Sequence, residues 1–181
     1  MYIDTHAHLN FKDFDNDRTQ VVERAFEVGV KNIIIPSSNL ATSKKAIEIA
    51  ENNHGIFAAI GLHPIHIYPE RSRGVKDETF DEMAFLRLAK NKKVVAIGET
   101  GLDYYHQKDN QFDQQEIFVK HLKLANLVNK PVILHSREAS DDILSTLMSQ
   151  NPLPKGVMHC FSEDVNFAKV VTEMGFYISF T

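Results

Sequence analysis

Five side chains, His6, His8, Glu99, His135 and His159, are of types that bind borderline and hard divalent cations. His6 and His8 lie two apart in THAH, and alternate residues of an extended strand point the same way, so both imidazoles can reach one ion. Asp4 shares their parity and is placed to orient the site from behind. Glu99 closes the apolar run KVVAIGE. A carboxylate has two oxygens and can bridge two cations, which one imidazole cannot; a helix cap or an ion pair is the plainer alternative. His135 follows PVIL, and His159 sits near the end of KGVMHC. Metal-assisted hydrolysis is the chemistry such a set serves, provided that the ends of several strands meet.

A second tier surrounds these five. His63 and His66, in GLHPIH, are candidates for contacting a phosphate or carrying protons, or else only occupy a turn built by Gly61 and Pro64. Arg137 offers a fork of donors suited to phosphate. Asp103, in GETGLDYY, divides evenly between supporting its loop and facing substrate. Cys160 reads as a small buried residue rather than a nucleophile. His54, His106 and His121 read as incidental, His121 because it falls in mid-helix.

The elements that must position these groups alternate. Apolar β-branched runs predict strands at 2–3, 31–36, 55–64, 93–99, 131–135, 155–161 and 176–180. Helical spacing predicts helices at 16–29, 41–52, 78–90, 111–129, 138–149 and 163–174, with a polar link over 66–77. Strand–helix alternation is the signature of a parallel sheet with helical cover. Neither a Gly-x-Gly-x-x-Gly turn nor a phosphate loop ending in Gly-Lys-Ser/Thr occurs. Polar residues at many strand ends instead favour the α/β class in its TIM-type (β/α)8 form, in which those ends share one face. The whole chain, 1–181, reads as one domain. That fold usually takes about 250 residues, so the barrel is expected to be incomplete at the C-terminus, stopping after the seventh strand.

Composition narrows the class further. Hydrophobic residues make up 43% of the chain, and 12 Phe and 5 Tyr supply bulk for a core, which excludes a disordered chain. A net charge of −4 argues against a broadly basic nucleic-acid surface, although bound cations can hold a phosphate in its place. A single cysteine precludes an intrachain disulfide. The opening MYIDTHAHLN lacks the basic and apolar stretches of a signal peptide, and no run is long enough to span a membrane. The expectation is a cytoplasmic protein.

Taken in order, MYIDTHAHLN, IGLHP, IGETGLDYY, PVILHSREA and GVMHCFS resemble the TatD-type deoxyribonucleases of the metallo-dependent hydrolase superfamily, along all 181 residues. The resemblance implies two divalent cations, Mg2+ or Mn2+ with Zn2+ as a further candidate. His6 and His8 would hold the first, Glu99 would bridge, and His135 and His159 would hold the second. It implies that His63 and Arg137 lie near the substrate, which with Glu99 makes them the catalytic candidates; His63, His66, Asp103 and Arg137 are the candidate substrate contacts. The implied substrate is DNA, single-stranded or at 3′ ends, cleaved in the 3′-to-5′ direction. The chain departs from the family pattern twice. Ile65 separates Pro64 from His66, leaving both His63 and His66 as candidates for substrate contact. The acidic Glu-Thr-Asp-x-Pro motif, whose aspartate would be a further ligand, does not occur before Thr181. The expectation is a weakened metal position, reduced catalysis and open sheet edges able to self-associate. It fits a gene fragment, an artificially shortened chain or a natural short form that pairs with another copy. Two other functions fit the same residues: an amidohydrolase or esterase acting on charged nucleotides or aminoacylated RNA, and an inactive fragment with a binding or structural role.

Overall fold

A computed structural model describes residues 1–67, 80–106 and 108–180. The strands are β1 (Tyr2–Asp4), β2 (Val30–Ile35), β3 (Ile56–Ile60), β4 (Val94–Asp103), β5 (Val132–Arg137), β6 (Gly156–Met158) and β7 (Tyr177–Ile178). The helices are α1 (Arg18–Glu27), α2 (Leu40–Asn52), α3 (Glu82–Ala89), α4 (Gln111–Val128), α5 (Ser140–Met148) and α6 (Val165–Glu173). Short 3-10 turns follow β1 at Lys12–Phe14 and β3 at Pro64–His66. Most of the polar link expected at 66–77, and the start of the helix expected at 78–90, lie outside the described residues.

All seven strands run parallel in the order β1-β2-β3-β4-β5-β6-β7, each paired with its neighbours in sequence. The sheet curls as part of a TIM-type barrel with the helices on its convex side. Among the described residues β1 and β7 are paired on one side only. No helix among them is long and apolar enough to cross a membrane.

Alternation along the strands separates two apolar layers. Ile33, Ile35, Ile56, Ile60 and Ile97 pack outward against Ala46, Ala50, Phe85, Phe118, Leu122, Ile143 and Leu147 of the helices. Ala59, Ala96 and Ile133, with Ile34 and Val157 beside them, form a smaller layer taken from five consecutive strands. That matches the inward-pointing filling of a barrel.

The sequence placed the end of β4 at Glu99, but the strand continues to Asp103. Past an irregularity between Ile97 and Thr100, the pairs Gly101–His135, Leu102–Ser136 and Asp103–Arg137 extend the ladder. Gly101 permits this approach: a Cβ there would stand 2.0 Å from the His135 carbonyl oxygen. A glycine inside a strand is a weak strand signal, which is why the extension is hard to read from GETGLD.

Candidate metal centre

Glu99 is the hub. It is 4% exposed, and its backbone N–H donates to the Ser37 carbonyl at 2.9 Å, fixing it to the end of β2. Its two oxygens serve different partners. Oε2 lies 3.2 Å from His6 Nε2 and 3.7 Å from His8 Nε2. Oε1 lies 3.3 Å from His135 Nδ1 and 3.5 Å from His63 Nε2. Burial alone would push this carboxyl up, but hydrogen bonds from His135, His6 and His63 reverse that and hold it well below the ordinary carboxylate range.

The β1 side is compact. The Nε2 atoms of His6 and His8 are 3.2 Å apart, as expected of alternate residues on one extended segment. Asp4 accepts from the His6 backbone N–H at 3.0 Å, so it steadies the loop rather than a ring. Donors that share an ion at 2.0–2.2 Å stand roughly 3–3.5 Å apart, close to the spacing of His6, His8 and Glu99 Oε2. The residues therefore fit a cation. His8 is held below the usual histidine value, chiefly by burial, and so keeps a lone pair available.

On the opposite side, His135 lies between two carboxylates, with Nδ1 facing Glu99 and Nε2 3.0 Å from Asp103 Oδ2. Burial opposes its charge, yet the two carboxylates raise its pKa to about 9. A cation at this oxygen must displace the Nδ1 proton, leaving Nε2–H on Asp103, the usual carboxylate–histidine arrangement behind a metal. Asp103 is 1% exposed and also accepts from the His106 backbone N–H at 2.8 Å, with the His106 ring 2.9 Å away. Burial would raise its carboxyl; these bonds lower it. Its geometry is that of loop and ring support.

His63 Nδ1 accepts from the Ile65 backbone N–H at 3.2 Å. A neutral ring so bound carries its proton on Nε2, which donates toward Glu99 Oε1. Burial lowers its pKa, favouring this neutral form. His63, Glu99 and His135 have donors close enough to share an ion, but His63 joins only by giving up its Nε2 proton or its bond to Ile65.

The remaining expected residues are spread out. The His159 ring stacks on His6, centroids 3.4 Å apart and planes 3° apart, and is close enough to Glu99 and His135 to feel their charge. Burial and the neighbouring His6 lower its pKa to about 4, leaving it neutral. Arg137 is exposed, its guanidinium 4.4 Å from the Tyr105 ring centroid. His66 closes the 3-10 turn, its N–H bonded to the His63 carbonyl at 2.9 Å. Cys160, read as buried, is exposed.

Sequence reasoning passed over the supports. Asn10 is buried and donates to the Pro36 and Thr42 carbonyls at 3.0 and 3.2 Å, tying the THAH loop to β2. Gln114 and His121, fully buried on α4, grip the backbones of Asp103 and Leu62. Their only sequence signal is a polar residue on the apolar face of a helix.

A sequence profile of the family described as TatD related DNase matches residues 3–181. The metal-dependent hydrolase YabD of Bacillus subtilis is 37% identical over 182 residues, covering 99% of this chain and 68% of its own length. The crystal structure of the TatD homologue YjjV from Escherichia coli superposes with a TM-score of 0.85 at 32% identity, over 98% of this chain and 66% of that one. A TatD-family hydrolase of Entamoeba histolytica gives a TM-score of 0.82 at 29% identity, over 98% and 64%. The chain thus spans about two thirds of the length of these relatives.

Proposed function

The chain belongs to the TatD-related DNase family, and on that premise we propose that it serves divalent-metal-dependent hydrolysis of phosphodiester bonds in DNA, inward from single-stranded 3′ ends. The observation that carries this reading is the division of Glu99, one oxygen toward His6 and His8 and the other toward His135. A carboxylate so divided suits two cations, Mg2+ or Mn2+ with Zn2+ as a further candidate. Two-cation sites are typical of enzymes that displace an alcohol from phosphate.

His6, His8 and Glu99 Oε2 would hold one cation; Glu99 Oε1 and His135 Nδ1 would contribute to the other, for which His159, now stacked on His6, is the further candidate ligand. When bound, the cations supply Lewis-acid charge that offsets negative charge growing on the phosphate oxygens. Asp103 holds His135 by its Nε2 proton, so the ring presents Nδ1 to the site. His63 keeps its proton on Nε2, where it can turn from Glu99 to a phosphate oxygen or a departing 3′-oxygen. Arg137, laid over Tyr105, offers its guanidinium edge to a neighbouring phosphate.

The test is incubation of the chain with a 5′-labelled single-stranded oligonucleotide, with Mg2+ or Mn2+ and with chelator, beside His135→Ala. A metal-dependent ladder of 3′-shortened products that disappears in the variant supports the reading. No cleavage by folded, metal-loaded protein sinks it for this chain. Turnover of an ester or amide of a nucleotide in the same samples would move the reading to a different bond.

A further inference from the structure

Helix α4 packs against the sheet mainly through apolar side chains such as Phe118, Leu122 and Ala125. Two fully buried residues on it are polar: Gln114 and His121. They lie seven residues apart, two turns of helix and roughly 10 Å along its axis, so they share one face. A buried polar side chain costs stability unless every group finds a partner, and here the partners are backbone groups beside the candidate metal centre.

Gln114 clamps the last residue of β4. Its Oε1 accepts from the Asp103 N–H at 2.8 Å, and its Nε2 donates to the Asp103 carbonyl at 3.0 Å and to Asn110 Oδ1 at 2.7 Å. His121 Nδ1 lies 2.8 Å from the Ile117 carbonyl and donates to it. Its Nε2 is therefore unprotonated and accepts from the Leu62 N–H at 2.9 Å. The rings of Phe80 and Phe85 flank it at 4.3 and 6.0 Å and restrict its rotation. Asn110, capping α4, donates to the Ile67 carbonyl. One helix thus holds the segment 61–67 at two points and the end of β4 at a third.

These points adjoin the groups that converge on one oxygen. Leu62 precedes His63, Asp103 receives the His135 ring, and both rings face Glu99 Oε1. We infer that Gln114 and His121 are positioning residues: the rigid two-turn spacing between them sets where His63 and His135 stand relative to each other and to Glu99. A leucine at either position would fill space, but it would leave the Leu62 or Asp103 backbone groups without partners and the spacing undefined. The inference rests on the metal-hydrolase reading only for what the two rings do.

The experiment is 1H–15N ring spectroscopy of the full chain labelled at histidine, free of metal, near pH 7.5. The His63 and His135 rings touch, centroids 4.4 Å apart, so in His121→Leu the His63 resonances should move more than those of His135, and in Gln114→Leu the order should reverse. His121→Gln places an amide oxygen near the lost acceptor, so it should return His63 to its wild-type shifts. Folded variants with both rings at wild-type positions would overturn the inference, leaving α4 as scaffold alone. Should His121→Leu not fold, His121→Gln and His121→Asn decide the matter. Only the longer amide reaches the Leu62 N–H, so displaced His63 signals in Asn but not Gln support the inference, and matching signals overturn it. No substrate enters the measurement, so its outcome is independent of whether the chain cleaves DNA.

Discussion

The two flanks of Glu99 are built by different means. On one, His6 and His8 come from a single short segment beyond β1, whose own residues Tyr2, Ile3 and Asp4 are all exposed. Their convergence is a local property, two side chains on one side of an extended stretch. On the other flank, His135 lies in β5 and His63 just beyond β3, far apart in sequence. Each is held through a buried neighbour, Asp103 or Leu62, which α4 holds in turn. Local spacing is enough to gather two candidate ligands, whereas distant ones need a polar framework inside the core.

The most severe way to break the comparison is to remove what both flanks share. Glu99→Gln keeps the shape but removes the negative charge and replaces one acceptor oxygen by an NH2 donor, so both cations should be lost. Hydrolysis should fall by more than the ~100-fold that outer partners of a metal site typically control. Titration calorimetry with Mn2+ and the oligonucleotide assay check this together.

Breaking one flank at a time comes next. His6→Ala should remove one Mn2+ equivalent and leave the other, because Glu99 Oε1 keeps its partners His135 and His63. Asp103→Asn deletes no proposed ligand, yet it should weaken the cation at the other flank by about 10- to 100-fold. It should also bring the His135 pKa, about 9 in the intact chain, down toward its ordinary value. Calorimetry and an imidazole titration by NMR separate the two variants; an Asp103→Asn protein with unchanged affinity would remove the framework from the argument.

An effect of comparable size, on stability, isolates the second flank. His121 must be neutral to accept from Leu62, and burial lowers its pKa to about 4. The unfolded ring titrates near 6.5, so between these values the unfolded chain binds the extra proton. The contribution is complete above pH 6.5 and is lost as pH falls toward 4, by about 3 kcal/mol in all. Urea unfolding at pH 7.5 and at pH 5 should differ by roughly 2 kcal/mol through this group in the wild type, the part of the loss that lies above pH 5, and by less in His121→Gln.

The same division explains what could be read in advance. Strand–helix alternation, the proline stops at Pro36 and Pro131 and the apolar runs are local, and they gave the element order and the α/β barrel class. The THAH pair was legible for the same reason. The gathering of Glu99 and His135 followed once strand ends were assumed to share a face. The stacking of His159 on His6 was not legible, because strand spacing gives the side of the sheet a residue faces and not the orientation of its ring. Nor were the roles of Gln114, His121 and Asn10: a polar residue on a buried face says that a partner exists without saying where. His106, set aside as incidental, proves to be bonded to Asp103.

Strand order has a bearing on how the molecule comes into being. Each strand pairs with the one just before it, so the sheet can lengthen one strand and helix at a time as the polypeptide is synthesised. Glu99 finds its first histidines as soon as β4 joins β1–β3. Its last partner, His135, arrives only when β5 docks, more than thirty residues later. A nascent chain halted before that point would carry four of the seven strands and a half-finished centre, and uptake of the proposed second cation would report that β5 had reached its place.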